Sequence, residues 1–163
     1  MLPKLLLASL LLLTTGCGFQ LQGRANLPPV LAAAYVDASD AQSDFCVGLR
    51  GALQAAGSRL QESAVPGSAT IHILSDGTSE RVLTVSANNL PAAFELTYTV
   101  RIAVSAGGRE LLSAETFSAT REYSFEAAAL LAKQRERDTL SAAMAGELVT
   151  IVMRRLSSLP AAG

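Results

Sequence analysis

A period-two alternation of apolar and polar residues, running from Ala69 to Arg121, most strongly limits the folds open to this chain. Successive side chains of a strand point to opposite faces of a sheet, so alternation of this kind predicts half-buried strands. Antiparallel sheets keep one face wet in this way. The clearest run places apolar side chains at every second position: Leu96, Tyr98, Val100, Ile102 and Val104.

Turn residues divide this region into strands. Gly107-Gly108 predicts a tight hairpin, because glycine accepts the positive φ that such turns require. Asn88-Asn89-Leu90-Pro91 separates a strand ending near Ser86 from one starting near Ala92. Together with a short first strand over Val30–Val36, the pattern predicts a meander of three longer strands.

Two stretches have helical periodicity instead. In the first, Ser39 or Asp40 is the expected N-cap and Gly57 the expected end. The second runs from Phe125 to Leu156 after a cap at Ser124, and at ~1.5 Å per residue it would overhang strands of about a dozen residues. The predicted core stripes are Phe45, Leu49 and Leu53 in the first helix, and Leu140, Met144, Leu148, Ile151 and Val152 in the second.

The amino terminus has the features of a bacterial lipoprotein signal. Lys4 precedes an apolar run from Leu5 to Leu13, and Gly16 provides the small residue needed beside the cleavage site. This run is about half the ~20 residues of a membrane-spanning helix, so we expect residues 1–16 to be removed. Cys17 would then be the first residue, with diacylglycerol attached to its sulfur and an acyl chain on its amino group. The alternative is a plain signal peptide with a structural Cys17.

Further divisions of the chain follow from the same segment. Gly18, rather than Asp, follows Cys17, a pattern that resembles sorting to the outer membrane and places the protein on its periplasmic side. Residues 17–29 end in two prolines and are predicted to be a lipidated tether. The remaining residues, 30–160, have the length of a single domain.

Composition excludes several classes of function. The chain has 13 basic and 14 acidic side chains, so it lacks the cationic surface of nucleic-acid-binding proteins. No nucleophile motif, glycine-rich phosphate loop or metal-ligand spacing occurs, and His72 is the only histidine, so we predict neither an enzyme nor a cofactor beyond the lipid on Cys17. A carboxylate pair such as Glu115 and Glu122 stays open. We interpret Cys46 as a buried small apolar residue rather than a reactive thiol.

Charge is densest in the segment from Lys133 to Asp138. Lys133 lies seven residues before Leu140, and Arg137 falls on the same side of the helix, so both occupy positions where the core stripe predicts apolar residues. The simpler interpretation is a solvated helix with local ion pairs, each worth a few tenths of a kcal/mol. The alternative is a cationic surface for a phosphorylated ligand or for a partner's carboxylates.

Three pieces of the sequence together resemble the LptE family of lipopolysaccharide-assembly lipoproteins. The first is the junction Gly16-Cys17-Gly18-Phe19-Gln20-Leu21, and the second is the strand–helix order after Leu27-Pro28. The third is the tail from Tyr123 to Leu159, where the familiar spacing is carried by Leu131-Ala132-Lys133, Glu136, Leu140, Met144 and Met153-Arg154-Arg155-Leu156.

This resemblance implies a fold and a function. The fold is an α+β two-layer sandwich of two helices packed on a four-stranded, mainly antiparallel sheet. The function is to plug the outer-membrane β-barrel LptD, to help it assemble, and to take part in inserting lipopolysaccharide into the outer leaflet. The alternative is a stand-alone lipoprotein on the periplasmic face that binds or carries an amphiphilic lipid.

The resemblance also implies a lipopolysaccharide-binding lysine at Lys133. A second basic residue of the family pattern is missing, because Ser86-Ala87-Asn88-Asn89 carries no charge. The expected lipopolysaccharide-binding residues are Lys133 with Arg135 and Arg137, supplemented from nearby by Arg81 and Arg121.

Overall fold

Secondary structure accounts for most of the chain between residues 27 and 160. The structure, a computed structural model, describes residues 27–124 and 130–160. A 3₁₀ turn, Pro29–Leu31, precedes the sheet and helices. The elements are β1 (Ala33–Ala38), α1 (Asp44–Ala55), β2 (Arg59–Gln61), β3 (Ala69–Val85), β4 (Pro91–Ala106), β5 (Arg109–Ser124) and α2 (Leu130–Ser157).

The strands form one mixed sheet in the order β2-β1-β3-β4-β5. β1 runs parallel to β2 and β3, whereas β3, β4 and β5 form the antiparallel meander that the alternation predicted. The α+β sandwich is confirmed, with five strands rather than the expected four. The additional strand, Arg59–Gln61, has only three residues, too few for a period-two pattern to show.

The core lies between the sheet and the two helices. The alternating residues of β4, from Leu96 to Val104, are all buried, as predicted, and they meet the buried stripes of α1 and α2. The helices approach each other closely at Gly48, where an added Cβ would lie 3.1 Å from Val149 Cγ2. Among the predicted stripe residues, Leu140 and Ile151 are partly buried and the others fully buried.

Several element ends differ from the predictions. The first strand begins at Ala33 rather than Val30, because Pro29 starts the 3₁₀ turn. Ser43, not Ser39 or Asp40, caps α1, and its Oγ accepts a hydrogen bond from the Cys46 N–H at 3.1 Å. Gly57, at φ 93°, follows the end of α1 as expected. The predicted start of the second helix, 125–129, lies outside the described residues.

The long strands also change where α2 lies. β3, β4 and β5 have 16 or 17 residues, which at ~3.3 Å each gives about 55 Å. The 28 described residues of α2 give only about 42 Å, so this part of the helix is shorter than the strands, contrary to the expected length relation. None of the described helices is long and apolar enough to cross a membrane.

A bulge in β3 places a carboxylate on the helix-facing side of the sheet. The register shifts between Ile73 and Ser75, and Asp76 then lies opposite Val100. Asp76 accepts a hydrogen bond from the Tyr98 hydroxyl at 2.7 Å and another from Ser43 Oγ. Burial and the hydrogen bond to Asp76 raise the pKa of Tyr98. This network joins the start of α1 to two strands.

Candidate functional site

The predicted cations lie toward one end of the sheet. Here the end that carries the loop 86–90 between β3 and β4 is called the distal end, and the end with the Gly107-Gly108 turn is called the proximal end. The first turns of α2 pass over the distal part of the sheet. From 133 to 143, no residue of α2 is buried, which matches the expected break in the apolar stripe.

Lys133 is held against the end of β5. Its ammonium nitrogen donates hydrogen bonds to Ser124 Oγ at 3.2 Å and to Glu136 Oε2 at 2.8 Å, and its side chain is only 16% exposed. Ser124 pairs with Ala93 of β4, which in turn pairs with Thr84 of β3. The charge of Lys133 therefore lies at the level of the last residue pairs before the distal loop. The predicted orientation of this lysine toward the sheet is confirmed.

Arg137 shares a carboxylate with a tyrosine. Its Nε lies 3.5 Å from Glu80 Oε2, and the Tyr123 hydroxyl donates a hydrogen bond to the same oxygen at 2.6 Å. The Tyr123 ring stacks on Phe94 with centroids 5.7 Å apart. Burial of Tyr123, together with its hydrogen bond to Glu80, raises the pKa of Tyr123 to about 12. The phenol therefore stays protonated and donates at neutral pH.

Arg81 lies on the other face of the sheet. It is directly opposite Glu95, whereas its neighbours Glu80 and Val82 oppose residues of the helix-facing set. Its guanidinium makes a two-pronged ion pair with Glu95, at 2.6 and 3.0 Å. The hydrogen bond with Glu95 raises the pKa of Arg81, and the same bond lowers the pKa of the Glu95 carboxyl. The structure therefore does not place Arg81 with Lys133.

The two remaining cations differ in their surroundings. Arg121 donates to Glu147 Oε2 at 2.5 Å, and Glu147 is ten residues, about 15 Å, along α2 from Arg137. Arg135 is exposed and makes no ion pair within the described part of the chain. The arrangement therefore brings Lys133 and Arg137 together, with Arg135 nearby in α2. Arg121, on β5, is instead paired with Glu147 farther along the helix.

Sequence reasoning missed two of the side chains around Lys133 and Arg137, namely Glu80 and Tyr123. Glu136, three residues from Lys133, is the local ion-pair partner that helical spacing predicts. Glu80 and Tyr123 come from distant strands and had no such signal. Arg137 was expected to pair with an acid three or four residues away, but it pairs with Glu80 instead. Cys17, the predicted lipid site, lies outside the described residues.

Other chemically active side chains lie elsewhere. His72 is on the face of the sheet away from the helices, with Nδ1 3.0 Å from Asp37 Oδ2 and Nε2 3.3 Å from Ser105 Oγ. Cys46 is fully buried, as predicted, and burial raises the pKa of its thiol. Glu115 binds Arg155 of α2 at 2.9 Å.

No metal cluster forms from these groups. Within residues 27–124 and 130–160, no three His, Cys, Asp or Glu side chains are grouped so that they could hold a metal ion. The prediction that the chain is not an enzyme stays a prediction.

Solved structures share this fold. A solution structure of an uncharacterized lipoprotein B from Nitrosomonas europaea is 26% identical, with 86% of this chain and 91% of that chain covered and a TM-score of 0.70. The rare lipoprotein B from Shewanella oneidensis is 21% identical, with 77% and 94% covered and a TM-score of 0.67. A minor lipoprotein from Acinetobacter baumannii is 17% identical, with 82% and 97% covered and a TM-score of 0.66.

Comparison with protein families gives a specific assignment. Curated protein sequences gave no significant match. The LptE family, described as lipopolysaccharide-assembly, matches residues 31–156, which span the sheet and nearly all of α2. This match covers well over half of the 163 residues. The chain therefore belongs to the LptE family of lipopolysaccharide-assembly proteins.

Proposed function

We propose that this protein is an outer-membrane lipoprotein that plugs the LptD β-barrel, helps it assemble, and takes part in inserting lipopolysaccharide into the outer leaflet. Acyl chains on Cys17 would hold it on the periplasmic side of the membrane. The observation that carries the proposal is the family match over residues 31–156. No catalytic step is part of this role.

One face of the sheet suits a plug. The face of β3, β4 and β5 opposite the described helices is polar, and it carries many hydroxyl groups together with the charges of Arg81, Glu95, Arg101 and Glu122. A wide β-barrel has a polar interior, and both the hydroxyl groups and the charged side chains of this face can exchange hydrogen bonds with such a wall. The hydroxyl residues of this face are Thr70, Ser75, Ser79, Thr97, Thr99, Ser105, Thr116, Ser118 and Thr120.

The cations of α2 suit the phosphates of lipid A. Lys133 and Arg137 are already oriented by Ser124, Glu136 and Glu80, so little side-chain entropy would be lost on binding. A phosphate group can replace the carboxylate partners of these cations, because it offers several strong acceptor oxygens. Arg135, which has no ion pair within the described residues, adds a third guanidinium or ammonium group, and Arg121 and Arg81 are the more remote members of the proposed set.

Co-purification tests the plug directly. We expect the tagged full-length lipoprotein, solubilised from outer membranes in mild detergent, to bring down LptD in a 1:1 ratio. Protease should cleave LptD faster in membranes depleted of the lipoprotein, because an empty barrel exposes its loops and lumen. A protein recovered alone but carrying bound lipid would contradict the plug and support a stand-alone lipid-binding lipoprotein.

Charge reversal at Lys133 tests the lipopolysaccharide contact. We expect Lys133→Glu to weaken lipopolysaccharide binding on the order of tenfold, because a charge-assisted hydrogen bond is lost and a second carboxylate appears beside Glu136. Binding to the full-length protein is measured in detergent, and thermal unfolding checks that the variant is folded. Arg154→Glu is the matched control, since this exposed cation lies about 30 Å away on the same helix. Wild-type affinity in Lys133→Glu would eliminate the proposed contact.

A further inference from the structure

The distal end of the β3–β4 hairpin carries no charge. All 13 residues from Val82 to Phe94 are uncharged, in a chain where charged residues make up 17% of the total. The residues on either side, Arg81 and Glu95, form an ion pair with each other at 2.6 Å. The Arg81–Glu95 ion pair therefore flanks the uncharged segment on both strands, and the segment extends from this pair to the distal end of the hairpin.

This segment exposes large apolar side chains. Val82, Val85 and Leu90, here called the apolar tip, are 48%, 58% and 58% exposed. The loop beside them is held by backbone hydrogen bonds, from the Ser86 N–H to the Leu90 carbonyl at 2.7 Å and from the Asn89 N–H to the Ser86 carbonyl at 2.9 Å. These bonds fix the shape of the loop, and the exposure of the apolar tip costs hydration free energy.

Cations lie beside the apolar tip. Val82 opposes Phe94, which opposes Tyr123, so this row shares the helix-facing side with Glu80 and Arg137. The Lys133 ammonium is at the level of Ser124, one residue past Tyr123. A surface that is apolar at its end and cationic next to that end complements a molecule with hydrocarbon chains joined to anionic groups.

We propose that the apolar tip binds acyl chains of the same phosphorylated amphiphile whose anionic groups contact Lys133 and Arg137. This inference rests on the proposed lipopolysaccharide-binding function and adds the chemistry of a second subsite. It also accounts for the loop that lacks the basic residue expected from the family pattern, since apolar contact replaces a charge there. A lipid fits better than a protein partner, because protein interfaces favour aromatic, Met and Arg side chains, whereas the apolar tip offers only Val and Leu.

The test compares two triple variants of the full-length lipoprotein. One is Val82→Ser, Val85→Ser and Leu90→Ser. The control, Val47→Ser, Val65→Ser and Leu74→Ser, removes two valines and a leucine of similar exposure from other parts of the surface. Affinities are measured in mild detergent for rough lipopolysaccharide and for its fully deacylated form, which keeps the phosphates.

We expect the apolar-tip variant to bind intact lipopolysaccharide about tenfold more weakly than wild type and to bind the deacylated form equally well. The control variant should match wild type with both ligands, whereas Lys133→Glu should weaken both. Wild-type affinity of the apolar-tip variant for intact lipopolysaccharide, or an equal loss with both ligands, would overturn the inference.

A separate measurement distinguishes the proposed acyl-chain subsite from the proposed LptD plug. The same variants are tested for co-purification with LptD. An apolar-tip variant that loses LptD but keeps lipopolysaccharide affinity would show that the tip contacts the barrel, which overturns the acyl-chain subsite. Failure of the wild-type protein to recover LptD would refute the proposed plug, whatever the two affinities are.

Discussion

The Cys17→Ser protein, exported from a standard cleavable signal, is expected to leave the membrane and appear in the periplasmic extract. Burying one CH₂ group in a bilayer contributes ~0.8 kcal/mol, so two acyl chains of ordinary length contribute about 20 kcal/mol. The measurements are metabolic labelling with palmitate and separation of membrane from soluble fractions, with the protein expressed in excess over LptD.

The control is the unaltered Cys17 chain with its own signal. It should incorporate the label and sediment with the outer membrane, because Gly18 follows the acylated residue. Mass spectrometry of the wild-type protein that showed an unmodified Cys17 would contradict the prediction, as would equal sedimentation of both proteins. The excess over LptD matters, since binding to the barrel would also retain an unlipidated chain.

Phe45→Ala should lower the free energy of unfolding by about 3–5 kcal/mol. Phe45 is fully buried in the first turn of α1, beside the Ser43 cap and between the helix and the sheet. Truncation removes the transfer free energy of the ring and leaves a cavity that the packed core cannot fill. Urea unfolding followed by circular dichroism measures the change.

Val47 gives a matched control two residues away. It lies in the same helix but is 52% exposed, so Val47→Ala should change the unfolding free energy by less than about 0.5 kcal/mol. If Phe45→Ala lowered the free energy of unfolding by no more than Val47→Ala, the region around α1 would not form part of the cooperative core. If both variants lowered the free energy of unfolding strongly, the stability of α1 would depend on the helix propensity of its side chains rather than on their packing.

Local sequence patterns predicted the central features of the fold. The alternation in β4 identified every buried residue from Leu96 to Val104, because period two places them all on one face. Gly107 and Gly108 have positive φ values of 57° and 73°, as a tight hairpin requires. These predictions succeeded because each depends on residues close together in the chain.

Features set by tertiary contacts were missed. Ser43 caps α1 while also bonding to Asp76, 33 residues away, and that second bond has no local signal. The bulge in β3 had no clear signal in the sequence, because large apolar residues of this strand occur at odd positions such as Ile73 and Leu83 and at even ones such as Leu74 and Val82.

The same bulge explains which parts of the site could be predicted. Lys133 and Arg137 were oriented correctly by counting helical turns back from Leu140. Glu80 reaches Arg137 only because the bulge puts even-numbered residues of β3 on the helix-facing side. Arg81, one position away, therefore points to the other face and pairs with Glu95.

The uneven distribution of the core has a consequence for motion. Toward the proximal end, the two helices and the sheet share a continuous apolar interior. Toward the distal end, the described contacts that hold the first turns of α2 to the sheet are polar, through Ser124 and Glu80. Local opening follows the weakest packing, so the leading half of α2 should lift off transiently while the remainder stays folded. A bulky ligand could thus gain access to Lys133 without any cost in global unfolding.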